Sequence, residues 1–341
     1  MSNPLHRYRI LIADPDVHMA RVLKVMLEGM GFSDIQMTAD GQEALNMVKK
    51  TPFDILIAEW NFEKLGNLEL INRIRRDDHS PNRALPIVTL TGRAEVADVM
   101  MARDCGTTEY VVKPFSAGSV YARLERLVDY PRDFVVSPGY VGPERRTKRT
   151  PYNGKDRRVL RLVPQGKAAA AHGIANDNAN ASPKIFEADY SLKRKLGLNH
   201  ALSDLITPEV LQEAQERIES ISSESLQWIK EDLAQLKSLQ RTMMQSNDIG
   251  KSHLDLMSET ALAISSRAGT FGYQKAAKAA YMLYLFCCKN LDPEKPIHCV
   301  IAEKHIDVLQ LALSETLRTT VPAENDEIMD ELQHLVNKYG S

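Results

Sequence analysis

Four polar residues each follow a short apolar run in the first third of the chain. The runs ILIA, ILIA, IVTL and YVV are followed by Asp14, Glu59, Thr91 and Lys113. Two carboxylates, a hydroxyl and an amine are groups that bind a charged ligand. Ligands of open α/β sheets bind outside the carboxyl ends of the strands. If these runs are strands of one sheet, the sequence predicts a binding site at that edge.

The segments between these runs have the periodicity of helices. In HMARVLKVMLEGMG, for example, Val22, Leu23, Met26 and Leu27 share one face. The pattern of a strand followed by a helix occurs five times, which is typical of a parallel sheet covered by helices. We therefore predict a doubly wound α/β domain with a five-stranded parallel sheet over residues 1–130.

The motifs ILIADPD, LIAEWN, VTLTG and YVVKPF stand at successive strands and carry a family resemblance. The set resembles the receiver domain of bacterial response regulators, which is flavodoxin-like, over about residues 8–130. The resemblance implies a site where acidic residues after the first strand and a phosphoacceptor aspartate hold Mg²⁺. A lysine and a hydroxyl then bind the transferred phosphoryl group. Lys113, followed by Pro114, matches the lysine, Thr91 matches the hydroxyl, and Tyr110 matches an aromatic residue that turns inward on activation.

The chain departs from that family pattern at the residues that carry the chemistry. Glu59 stands at the acceptor position, Pro15 replaces the second metal-binding acid, and Glu63 replaces a proline of the loop. Asp16 offers a carboxylate, but it lies one residue late. In-line transfer tolerates a displaced reacting oxygen poorly. We therefore interpret the domain as a pseudo-receiver with no cofactor, or with weak Mg²⁺ binding at Asp14 and Glu59. One alternative is an active phosphoacceptor. The other is that Glu59 is a substitution with no consequence for signalling.

The second third of the chain loses this periodicity. Residues 140–167 contain nine Lys or Arg and two acidic residues, and YVGPERR at Tyr140 is echoed by YNGKDRR at Tyr152. The run AAAAHGIANDNANASP is typical of a flexible linker. We predict a basic, largely disordered linker over residues 131–190. Such a run can contact nucleic acid or an anionic membrane, but we favour a tether or a docking segment.

The remainder, residues 191–341, has helical patterns throughout and predicts an all-α bundle. Between two of its helices, GTFGY resembles the turn of histidine phosphotransfer domains. The positions of that motif are Leu262, Ser265, Gly269, Phe271 and Gly272. Leu262 stands where the family has its nucleophilic histidine, and a leucine cannot attack a phosphoryl group. The resemblance implies a phosphotransfer-like bundle that has lost phosphotransfer.

Composition limits the remaining function classes. The 43 basic and 45 acidic residues nearly cancel, so bulk charge does not attract a polyanion. The N-terminus has no apolar signal core and the longest apolar run, Ala279 to Cys288, is too short to span a bilayer, which predicts a cytoplasmic protein.

We therefore predict a non-enzymatic two-component signalling protein, a pseudo-receiver that acts as a scaffold or regulator. Its partners are histidine kinases, phosphotransfer proteins or other receivers. They bind the bundle and the face of helix 4, strand 5 and helix 5. The sequence argues against nucleic acid as a partner, because it has no helix-turn-helix or zinc signature; a homodimer is left open. The alternatives are an active response regulator that takes a phosphoryl group with Mg²⁺, and a nucleic-acid-binding regulator that uses the basic linker.

Overall fold

The fold is taken from a computed structural model of the chain. The structure describes the following residues: 3–60, 62, 65, 68–77, 79–145, 160–162, 183–245, 251–314, 334, 336 and 338. By contacts the chain divides into two compact units. The first comprises Met1–Val112 and Ser116–Ile218, and the second comprises Lys113–Phe115 and Glu219–Ser341.

The first unit contains the predicted parallel sheet. Its strands are Arg9–Ala13 (β1), Asp34–Thr38 (β2), Ile55–Ala58 (β3), Ile87–Thr91 (β4) and Glu109–Val112 (β5). The helices that follow them are Val17–Gly29 (α1), Gly41–Lys50 (α2), Glu69–Arg76 (α3), Val96–Cys105 (α4) and Ala117–Asp129 (α5). All neighbouring strands are parallel, in the order β2-β1-β3-β4-β5. The predicted fold class is confirmed.

The local sequence explains where these elements begin and end. Every residue of β3 and β4 is buried, as expected for central strands that helices cover on both faces. Asp16 begins α1 by accepting hydrogen bonds from two amides of its first turn. After the end of α1, Gly31 adopts a φ of 101°, which a residue with a side chain rarely adopts.

A second sheet lies in the segment that we expected to be largely disordered. Its strands are Phe134–Ser137 (β6), Tyr140–Pro143 (β7), Leu160–Leu162 (β8) and Lys184–Phe186 (β9), in the order β7-β6-β9-β8. At these described residues the expectation needs correction. Strands of three or four residues are too short for hydrophobic periodicity to reveal, and β9 lies more than 40 residues from its partner β6 along the chain.

Residues 187–218 also belong to the first unit. Helix α6 (Ser191–Leu196) is held by the Tyr8 hydroxyl, which donates to the Leu192 carbonyl at 2.6 Å. The next helix, α7 (Pro208–Ser220), approaches α1 so closely that a Cβ on Gly29 would lie 2.9 Å from the Ala214 Cα. The first unit thus extends beyond residue 130, the predicted end of the receiver-like domain, as far as Ile218.

The second unit is helical. Its helices are α8 (Ser222–Gln245), α9 (Lys251–Thr270), α10 (Gln274–Lys289) and α11 (Pro296–Ala312). Each packs on the next, and α11 packs back on α8, which is the neighbour pattern of a four-helix bundle. The last part of the predicted helical region, residues 315–341, lies almost wholly outside the described residues. Among the helices that the structure describes, none is long and apolar enough to cross a membrane.

Candidate functional site

The strand register places the four predicted polar residues at the same edge of the sheet, each at or just after the end of its strand. Ala13 of β1 pairs with Ala58 of β3, so Asp14 and Glu59 are the next residues of adjacent strands. Thr91 is the last residue of β4 and pairs with Val112, the residue before Lys113. The edge is the carboxyl end of the sheet, where open α/β folds bind their ligands.

Two aspartates follow β1 and have different surroundings. Asp14 is buried, and its Oδ1 accepts a hydrogen bond from the Asp16 amide at 2.8 Å. Oδ1 of Asp16 accepts hydrogen bonds from the amides of His18 and Met19, both at 3.1 Å. The Asp16 side chain therefore acts as the N-cap of α1.

Glu59 is half-buried at the end of β3. Its amide donates to the Ala13 carbonyl at 2.8 Å, which continues the β1–β3 ladder by one residue. Its carboxylate accepts a hydrogen bond from the Trp60 amide, with 2.6 Å between the nitrogen and Oε1. The side chain thus bonds to the backbone of the next residue. Trp60 is 2% exposed and is among the largest fully buried side chains of the described chain.

Thr91 and Tyr110 are both bonded to Arg93, which lies in the loop after β4. The Arg93 amide donates to Oγ1 of Thr91 at 3.3 Å, and the Tyr110 hydroxyl donates to the Arg93 carbonyl at 2.8 Å. The Arg93 guanidinium lies 5.9 Å from the centre of the Trp60 ring. The Tyr110 ring packs edge-on against Trp60, with 6.5 Å between ring centres.

Lys113 is buried, and the peptide bond that joins it to Pro114 is cis. A cis bond is common only before proline and typically forms part of a tight turn. No group of three or more His, Cys, Asp or Glu able to hold a metal ion comes together among the described residues. Magnesium binding stays a prediction.

Comparison with known proteins identifies the first part of the chain. The family model described as response regulator receiver domain matches residues 10–125. Chemotaxis protein CheY-3 of Vibrio cholerae is 32% identical over 121 residues, which are 36% of this chain and 92% of that protein. The chain belongs to the response regulator receiver family.

Further relatives match the same part of the chain. Chemotaxis protein CheY of Pseudomonas aeruginosa is 31% identical over 121 residues, which are 36% of this chain and 96% of that protein. A solved structure of chemotaxis response regulator CheY4 of Vibrio cholerae covers 35% of this chain and 98% of its own length, at 24% identity and a TM-score of 0.33. The receiver domain, a module of two-component signalling, thus accounts for about a third of the chain.

The sequence did not point to two residues of the receiver site. Trp60 and Arg93 are 33 positions apart, and each is an ordinary residue in its local motif. They meet because β3 and β4 are neighbours in the sheet, so the residues that follow the two strands lie side by side. The signal that could have found them is a pair of residues, an aromatic residue after one predicted strand and an arginine after the neighbouring strand.

In the second unit, the phosphotransfer-like motif forms the end of α9 and the turn into α10. Leu262 is half-buried and packs against the bundle core, and the Ser265 hydroxyl donates to the Ala277 carbonyl at 2.9 Å. Phe271 contacts the Trp228 ring, with 6.4 Å between ring centres, and Gly272 adopts a φ of 83°. Gly269 is buried in the last turn of α9.

The three histidines of α9 and α11 are buried or half-buried. His298 and His305 are both buried, and His253 is half-buried with Nε2 placed 2.8 Å from the Leu239 carbonyl oxygen. A phosphotransfer histidine must expose its imidazole to a partner. None of these three histidines is exposed in that way.

Proposed function

We propose that this chain is a pseudo-receiver, a two-component signalling protein that binds partner proteins without transferring a phosphoryl group. The observation that carries the proposal is the Glu59 carboxylate. It stands at the acceptor position, and its Oε1 is bonded to the Trp60 amide instead of extending freely from the strand. A glutamate is one methylene longer than an aspartate, and in-line transfer tolerates a displaced reacting oxygen poorly.

The acidic residues after β1 support the same proposal. Asp14 is retained, Pro15 cannot bind a cation through its side chain, and Asp16 is engaged as the helix cap of α1. Magnesium would be held by Asp14 and Glu59, with fewer carboxylates than the family pattern implies. When bound, the ion would neutralise charge on a phosphoryl group. We propose that its binding is weak or absent.

The surface formed by α4 and β5 is the proposed partner-binding face of the receiver. Four apolar side chains of α4 and one of β5 are exposed: Val96, Val99, Met100, Met101 and Val112. Contiguous exposed apolar side chains commonly mark sites of protein–protein interaction. We propose that histidine kinases, phosphotransfer proteins or other receivers bind here.

The bundle supports a binding role for the second unit. Its motif has Leu262 at the histidine position, and this side chain contributes to packing. We propose that the bundle keeps a phosphotransfer-like surface for partners and lacks the reaction. The chain lacks both the acceptor aspartate and the phosphotransfer histidine. A single change of function, the loss of phosphotransfer, explains both differences.

The experiment measures the intact mass of the full chain after incubation with acetyl phosphate and Mg²⁺. The variants are the wild type, Glu59→Asp with Pro15→Asp, and the same double variant with Thr91→Ala. We expect no phosphoryl adduct on the wild type and an adduct on the double variant, which the added Thr91→Ala reduces. An adduct on the wild type would overturn the proposal, and peptide mapping would then locate the phosphorylated residue.

The rival function is an active response regulator, and one observation favours it. Asp14, Thr91 and Lys113 are all buried at or next to the ends of their strands, where the family requires them. The mass experiment decides between the two functions. For nucleic-acid binding, the described residues of the basic run include Arg145 and Arg161, and Arg145 is engaged within the first unit. It pairs with Asp104 at 2.6 Å and lies 4.2 Å from the centre of the Tyr140 ring.

A further inference from the structure

Helix α4 carries most of the exposed apolar side chains of the partner-binding face, yet it has few core contacts of its own. Of its ten residues, all of which the structure describes, Ala102 alone is buried, near the C-terminal end. Val96, in the first turn, is 75% exposed. A helix with so little buried apolar surface opens locally at low cost. The position of its N-terminal half must therefore depend on contacts made by the loop before it.

Arg93 supplies those contacts. Its backbone bonds to Thr91 on one side and accepts the Tyr110 hydroxyl on the other. Its guanidinium faces the Trp60 ring, and its Nη1 lies 3.9 Å from a carboxylate oxygen of Asp98 in the first turn of α4. We name these five residues the Arg93 cluster. They connect the end of β3, the end of β4, β5 and the start of α4.

We propose that Arg93 is a positioning residue that holds the β4–α4 loop against Trp60 and thereby fixes the arrangement of the apolar side chains on α4. The Arg93 side chain is 29% exposed, so the cation over the ring is partly shielded from water. Cation–π contacts strengthen as they are desolvated. The ion pair with Asp98 is long, with 3.9 Å between Nη1 and the carboxylate oxygen, and it contributes less.

The position of Trp60 gives this cluster a regulatory consequence. Trp60 directly follows Glu59, and its amide is the group that the Glu59 carboxylate binds. A substitution of Glu59 that removes its bond to the Trp60 amide should therefore affect Arg93 through the Trp60 side chain. This consequence rests on the proposed function, because it assumes that partners bind α4 and β5. The positioning role itself needs no partner and no phosphoryl group.

The test is hydrogen–deuterium exchange of the full chain, read at the amides of residues 92–101. Replacing Arg93 with Ala should increase exchange there about tenfold, because the loop loses the cation–π contact while its backbone bonds remain. Replacing it with Lys should restore part of the protection. The matched control is Arg103→Ala, on the same helix, where the side chain contacts the exposed Asp104 at 3.3 Å. Its exchange should match the wild type.

A spectroscopic readout accompanies the exchange experiment. The chain has two tryptophans, so a Trp228→Phe background leaves Trp60 as the emitting residue. Arg93→Ala should change Trp60 emission and raise its quenching by acrylamide. Tyr110→Phe, which keeps the ring and removes the bond to the Arg93 carbonyl, should give a smaller increase in exchange. Unchanged exchange at residues 92–101 in Arg93→Ala would overturn the positioning role and would leave the pseudo-receiver proposal untouched.

Discussion

Replacing Arg75 with Met should destabilise the first unit, because Arg75 is a buried cation that donates to backbone carbonyls. Its guanidinium donates to the carbonyls of Arg83, Leu85 and Gly106 at 2.6, 2.8 and 2.9 Å. It also lies 5.6 Å from the centre of the Phe134 ring, in the second sheet. Burial lowers the pKa of Arg75 to about 9, so the side chain stays charged at neutral pH.

The expected loss follows from those contacts. Each buried carbonyl left without a donor costs about 1 kcal/mol or more, so three cost about 3 kcal/mol. The lost cation–π contact adds about 1 kcal/mol. A buried methionine returns about 1–2 kcal/mol through apolar burial. The free energy of unfolding of the first unit should therefore fall by about 2–3 kcal/mol.

The assay is urea unfolding followed by Trp60 fluorescence in the Trp228→Phe background. The control is Arg76→Met, on the next residue of the same helix, because Arg76 is exposed and donates to the Gly139 carbonyl at 3.2 Å. The control should stay within about 0.5 kcal/mol of the parent. If Arg75→Met is no less stable than Arg76→Met, the carbonyls find other donors and the reasoning is wrong.

Three further predictions concern other parts of the fold. Gly106→Ala should destabilise the first unit by about 2 kcal/mol or more in the same urea assay. Gly106 has a φ of 100°, and a Cβ there would lie 2.5 Å from the Val141 carbonyl oxygen. The control Gly118→Ala, where the nearest atom to the added Cβ is 4.0 Å away, should not destabilise the unit. Replacing Gln215 with Ala should cost about 1 kcal/mol, because its Oε1 accepts a hydrogen bond at 3.1 Å from the first amide of α5, and urea unfolding checks this. Burial lowers the pKa of His305 below its ordinary 6.5, so the unfolded chain takes up the proton at a higher pH than the folded chain does. The stability of the second unit should therefore fall as pH drops below 6.5. Thermal unfolding at several pH values checks this, and the pH dependence should be smaller in His305→Leu.

The sequence by itself determined the elements of the receiver domain and the residues at its strand ends. Short apolar runs that end in polar residues, each followed by a helical period, leave few alternatives, and all five predicted strands are present. Helical periodicity also predicted the helical character of the last third. These features depend on neighbours within a few residues along the chain, so the sequence records them directly.

Tertiary structure alone decided which distant residues meet. Tyr140 and Gly142 look like part of a basic repeat, yet the Tyr140 hydroxyl donates to the Pro143 carbonyl at 2.6 Å, and a Cβ on Gly142 would lie 2.7 Å from the Gly106 Cα. Arg93 reaches Trp60 only because their strands are adjacent. Strand order and close backbone approaches are set by the packing of the whole unit, which leaves no periodic signal in the local sequence.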